Sequence, residues 1–211
     1  RNNSVGKGNN ADVIIICNID QGTGEIKLVS VFRDTYLSVS DNGLYNKINQ
    51  AYFLGGPEQA VEALNRNLDL QIDDFATFNW KAVVDAVNIL GGVDVELSKA
   101  EFYYINAYIT ETVEATGVGS YQLKQAGLNH LDGVQAVAYA RLRKMDTDFA
   151  RTERQREIID LCFQKLKKSD FAVVNNVMEA VFPQILSSVT IDDIIPAARN
   201  LTKYTIADTM G

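Results

Sequence analysis

In 80-WKAVVDAVNILGGVDVEL-97 the apolar period changes partway along the stretch. Val83, Val84, Val87 and Leu90 recur at helical spacing, Gly91-Gly92 closes the helix, and 93-VDVEL-97 alternates as a strand. The same alternation of element types runs outward in both directions. On the N-terminal side lie a short strand around 74-DFATFN-79, a helix in 57-PEQAVEALNRNL-68 and another over 47–54. Pro57 sits where a first helical turn does not need its N–H. Further back, 13-VIIICNI-19 and 26-IKLVSVF-32 flank the turn-forming 20-DQGTGE-25 as a hairpin. The first of these strands is apolar on both faces, as a central strand is. On the C-terminal side, residues 99–127 read partly as loop, and 132-DGVQAVAYARLR-143 reads as a helix capped by Asp132. A helix over 150–168 and two further helical segments follow. Strands interleaved with helices predict an α/β fold, an α/β/α sandwich with a central mixed sheet flanked by helices. No repeat, linker or low-complexity segment divides residues 1–211, which read as one domain.

Composition narrows the function. The chain has 211 residues, 46% of them hydrophobic, and a net charge of −7 with pI near 4.8. An acidic chain lacks the basic surface on which nucleic-acid binding rests, so no nucleic-acid partner is expected. No apolar run approaches the roughly 20 residues of a membrane helix. Cys17 and Cys162 fall in apolar patterns and read as buried free thiols. Without a CxxC or a Cys/His cluster there is no zinc signature. His130, the one histidine, reads as a turn or packing residue in 127-GLNHLDG-133.

Against this acidic background, 139-YARLRKMDTDFARTERQRE-157 gathers Arg141, Arg143, Lys144, Arg151, Arg154 and Arg156. Arginine replaces lysine almost throughout, and its planar fork suits bidentate capture of phosphate. Arg151 and Gln155, four apart, share a helix face, and Asp148 stands where it could cap that helix. Arg33 and Asp34 follow the second strand directly, at a position where α/β proteins place functional groups. Asp12 precedes the first strand and is a possible oxygen ligand for Mg2+. Solvated ion pairs, a strand-exit pair and a polar strand start are the corresponding plain readings.

Together these segments resemble the LytR-CpsA-Psr family of cell-envelope phosphotransferases. The resemblance rests on 11-ADVIII-16, 29-VSVFRDTYL-37, 46-NKINQAYFLGG-56, 85-DAVNILGGVDVEL-97, 131-LDGVQAVAYARLR-143 and 148-DFARTERQRE-157, in family order across residues 11–157. It implies transfer of a glycopolymer-1-phosphate, of teichoic acid or capsule type, from a polyprenyl-pyrophosphate carrier to a peptidoglycan sugar hydroxyl. It implies that Arg33, Arg141, Arg143, Arg151 and Gln155 contact the pyrophosphate, with Lys47 as a further contact. Asp12 would serve Mg2+, and Asp148 would orient an arginine or assist the hydroxyl. The implied place is the extracellular face of the cytoplasmic membrane, held by an N-terminal anchor that this chain lacks. Two features depart from the family pattern. Asn10 stands where the family usually has arginine, and the family's earlier strand, ending in a metal-sharing aspartate, would precede Arg1. An alternative reading is a polyprenyl-phosphate-binding or transcription-attenuating protein without turnover.

Overall fold

The computed structural model describes residues 5–144 and 147–211. It divides into two compact units, residues 79–184 and residues 5–78 with 185–211.

In the discontinuous unit the chain begins with the expected hairpin. Asp20 makes its turn: the carboxylate accepts the N–H groups of Gly22 (2.8 Å) and Thr23 (3.0 Å). Those backbone donors hold the Asp20 pKa below its ordinary value. β1 (Ile15–Ile19) pairs antiparallel with β2 (Glu25–Ser30), Ile15 facing Ser30 and Ile19 facing Ile26. β2 also pairs in parallel with the C-terminal strand Thr205–Met210, so the sheet is mixed, as expected for an α/β chain. A second hairpin follows, β3 (Tyr36–Ser38) with β4 (Tyr45–Lys47). α1 (Ile48–Leu68) is two helical segments broken at Gly56, whose φ of 79° and ψ of −162° no helix accommodates. Val39, Ile48, Ala51, Tyr52, Ala63 and Leu64 form the core of this unit. β5 (Ala76–Phe78) pairs with a strand over Ile185–Ser187.

Two expectations about the first strand are corrected. Among the described residues β1 is an edge strand, paired with β2 alone, and Cys17 and Ile19 are exposed. Apolar residues on both faces of a strand do not establish a neighbour on both of its edges.

The continuous unit is built on tight helix contacts. Asn79 caps α2 (Trp80–Ile89), accepting from Ala82 N–H, and buries Val84 and Val87. β6 (Val93–Leu97) turns Val93, Val95 and Leu97 inward and pairs with β7 (Gly127–Leu131). His130 therefore stands on a strand rather than in a turn, its Nδ1 2.7 Å from Asp94. Between these strands lies α3 (Lys99–Thr116), followed by residues 117–126 without regular structure, in the region the sequence reads as partly loop. Its start was encoded: Ser98 and Glu101 form a capping box, each satisfying the other's backbone N–H.

α4 (Gly133–Arg141), capped by Asp132 with Gln135, is buried on every side from Gly133 to Ala140. A Cβ on Gly133 would overlap the Val84 carbonyl of α2, backbone that cannot swing away. Gly133→Ala is expected to destabilise the fold by about 2–3 kcal/mol, read as a lowered denaturation midpoint. Last come α5 (Asp148–Lys168) and α6 (Phe171–Val181). Thr147, not Asp148, caps α5, its hydroxyl accepting from Ala150. Asp148 instead occupies the first turn, where a carboxylate favours the positive end of the helix.

Burial pushes the Cys162 thiol up to about 11. Its thiolate at pH 8 is then about a hundredfold scarcer than that of an ordinary cysteine. Desolvation raises the Cys17 thiol as well, but Cys17 is the exposed one of the two. Iodoacetamide at pH 8 is therefore expected to modify it before Cys162, followed by peptide mass mapping. The folded state holds this proton more tightly, so the contribution to stability falls as pH rises past the ordinary thiol value toward 11.

Candidate functional site

Each unit carries one group of the nominated residues. In the discontinuous unit they form a charged chain at the exit of β2. Arg33 Nη1 donates to Asp12 Oδ1 at 2.6 Å, and Arg33 Nε lies 3.8 Å from Asp34 Oδ2. Lys47 Nζ, at the end of β4, is 3.0 Å from Asp34 Oδ1. The β3–β4 pairing explains this: Tyr36, two residues past Asp34, lies opposite Lys47. Among the described residues the buried Arg33 Nε has no hydrogen-bond partner. Asn10, the departure from the family pattern, accepts from Gln50 Nε2 at 3.4 Å.

In the continuous unit the residues gather where α4 ends and α5 begins. Arg141 Nη1 donates to Thr112 Oγ1 at 2.8 Å, its Nη2 is 3.7 Å from Glu111, and its guanidinium lies 5.7 Å from the Trp80 ring centre. Arg143 is exposed. Arg151, with a side chain only 7% exposed, reaches Asp148 Oδ1 at 3.1 Å across one helical turn. Its Nε is buried and has no hydrogen-bond partner among the described residues. Gln155 is buried and donates to the Ala140 carbonyl at 3.3 Å, tying α5 to the end of α4.

Sequence reasoning passed over Arg154. Its Nη2 donates to the Leu142 carbonyl at 2.7 Å, its Nη1 is 3.4 Å from Glu101 Oε1, and it covers the Tyr139 ring. Burial, followed by the hydrogen bond to Glu157, pushes the Tyr139 hydroxyl far above its usual range. Tyr139 is thus a fixed donor to Glu157 Oε2 (2.7 Å) and not a group that exchanges protons near neutrality. No residue spacing separates a cation facing a ligand from one facing a backbone carbonyl, so nothing in the α5 sequence distinguished Arg151 from Arg154.

Among the described residues no three His, Cys, Asp or Glu side chains cluster as a metal cage. Asp12 is one partly exposed carboxylate with one oxygen held by Arg33. That suits an ion which keeps its waters and takes one or two carboxylates beside substrate phosphates, the habit of Mg2+.

The order of motifs through both groups matches a known pattern. The model of the LytR_cpsA_psr family matches residues 1–209. This chain belongs to that family. A polyisoprenyl-teichoic acid–peptidoglycan teichoic acid transferase, TagU of Bacillus cereus, is 30% identical over 193 residues, covering 90% of this chain and 58% of that relative. Among solved structures, protein gbs0355 from Streptococcus agalactiae superposes with a TM-score of 0.80 at 27% identity, over 96% of this chain and 69% of that one. TagT bound to LIIa-WTA gives 0.74 at 25% identity, over 95% and 72%. The α/β fold of this LytR_cpsA_psr chain is the fold of these neighbours. The chain spans about half the length of the curated relatives it matches. No helix among its described residues is long and apolar enough to cross a membrane.

Proposed function

We propose that this chain transfers a glycopolymer-1-phosphate, of teichoic acid or capsule type, from a polyprenyl-pyrophosphate carrier to a sugar hydroxyl of peptidoglycan. The reaction belongs at the extracellular face of the cytoplasmic membrane. Family membership and the named activity of relatives such as TagU support the class of reaction.

The observation that carries the reading is Arg151. Taking a guanidinium out of water is costly unless it is well paired. Among the described residues Arg151 is nearly buried, its Nε has no hydrogen-bond partner, and its ion pair is with a half-exposed carboxylate. Such a cation is short of acceptors, and phosphate oxygens would supply them. Arg33, already paired with Asp12, keeps a buried Nε that makes no hydrogen bond among the described residues and could turn to a phosphate oxygen.

In the transfer the acceptor hydroxyl oxygen bonds to the sugar-linked phosphorus while that phosphorus parts from the bridging oxygen. Polyprenyl phosphate leaves and the hydroxyl proton is lost. Negative charge builds on the bridging oxygen, and the reaction asks the protein chiefly for positioning and fixed positive charge. Arg33, Arg141, Arg143 and Arg151 are assigned that work, with Lys47 and Gln155 as further contacts. Asp148 holds Arg151, and assisting the acceptor hydroxyl is its other assigned role. Asp12 would be the protein ligand for Mg2+, which when bound would neutralise phosphate charge.

The test is transfer of radiolabelled polymer from its polyprenyl-pyrophosphate carrier to uncrosslinked peptidoglycan. EDTA is expected to lower the rate at least about tenfold, with recovery on adding Mg2+. Absence of any transfer, with and without Mg2+, would refute the reading.

A further inference from the structure

We propose that the outward face of the β3–β4 hairpin is a sugar-binding platform that receives the first ring of the donor, the ring bonded directly to the pyrophosphate. This rests on the transfer reading above and adds to it a site for the carbohydrate.

The pairing register sets the geometry. Tyr36 lies opposite Lys47 and Ser38 opposite Tyr45, so these four residues share one face of the ribbon. Leu37 alternates to the other face and packs on the core of its unit. Tyr36 is 68% exposed and Tyr45 56%, with ring centres 6.1 Å apart and planes 28° from parallel. Two large rings thus lie stacked in solvent on a ribbon of three-residue strands.

The chemistry of this face fits a pyranose. One side of a sugar ring presents polarised C–H bonds, and the face of a tyrosine ring is electron-rich, so the two attract when stacked. The sugar's edge presents hydroxyls, and the phenol groups and the Lys47 ammonium can hydrogen-bond to them.

Position selects which sugar. Lys47 Nζ is 3.0 Å from Asp34, Asp34 adjoins Arg33 in the chain, and Arg33 holds Asp12. The platform is therefore continuous, through Lys47, with the phosphate-binding residues assigned to this unit. A ring covalently attached to that phosphate is the sugar held nearest to it throughout the reaction.

The test measures binding of two probes to the whole chain by calorimetry: farnesyl diphosphate, and farnesyl diphosphate carrying one N-acetylglucosamine. Tyr36→Ala and Tyr45→Ala are each expected to weaken the sugar-bearing probe at least about fivefold and to change farnesyl diphosphate by less than about twofold. Tyr36→Phe, which keeps the ring, is expected to hold the sugar-bearing probe close to wild type. Equal effects on the two probes, or none on either, would overturn the platform while leaving the transfer reading standing. A wild type that binds neither probe would overturn both. If Tyr36→Ala and Tyr45→Ala lose only soluble peptidoglycan strands, the face belongs to the acceptor and the donor assignment fails. Sedimentation as a dimer that Tyr45→Ala dissolves would give the face to a second copy, with the same consequence.

Discussion

Arg151→Ala is expected to slow transfer by at least about 10²-fold and to leave the fold intact. Single arginines that meet developing charge in other phosphoryl-transfer systems contribute about 10³–10⁵ in rate. The loss from one residue is smaller here because Arg33, Arg141 and Arg143 share the same task. The fold should survive because, among the described residues, Arg151 makes one ion pair, to half-exposed Asp148 on its own helix, and its buried Nε has no hydrogen-bond partner. Removing a nearly buried cation whose one ion pair is with a half-exposed carboxylate relieves about as much desolvation as it forfeits in attraction. Arg151→Lys keeps the charge and loses the fork, so its rate should fall between the two. Initial rates beside thermal midpoints decide the matter. Wild-type transfer by Arg151→Ala would remove this residue from the site.

The sequence revealed periods, caps and motif order, and was silent where side-chain direction decides. The helix–GG–strand stretch at 80–97 folds as read, because Val84, Val87, Val93 and Val95 all face one core. Asp132 caps α4 as expected, since an aspartate before a run of small apolar residues has few other uses. The helix α3 within the partly loop region 99–127 went unassigned although Ser98-x-x-Glu101 announces it. The tyrosines and threonines that follow blur its helical period, and tertiary packing outweighs their weak propensity. The C-terminal strand Thr205–Met210 is visible only through its parallel partner β2, far back in the chain. The same limit governs the site. Asp12 and Arg33 could be nominated one by one, but their contact across twenty-one positions follows from the β1–β2 pairing. The Tyr36–Tyr45 stack depends in the same way on the β3–β4 register.

Arg154→Ala should behave in the opposite sense to Arg151→Ala, losing stability by about 3–5 kcal/mol. The two arginines stand three apart on one helix, yet their partners differ in kind. Arg154 joins three elements: its own α5, the Leu142 carbonyl just past α4, and Glu101 at the start of α3. Its side chain is 6% exposed and that of Glu101 13%, so truncation would strand a carboxylate and a carbonyl away from water. The loss of packing against Tyr139 adds to this. Glu101 would keep its bond from the Ser98 N–H, so α3 should retain its start while its tie to α5 fails. Arg154→Met with Glu101→Gln should recover part of the loss, because the stranded charge is then gone, and a double-mutant cycle gives the coupling. Urea midpoints measure each variant. A midpoint for Arg154→Ala equal to wild type, with transfer abolished, would move Arg154 from the frame of the fold into the group that holds phosphate.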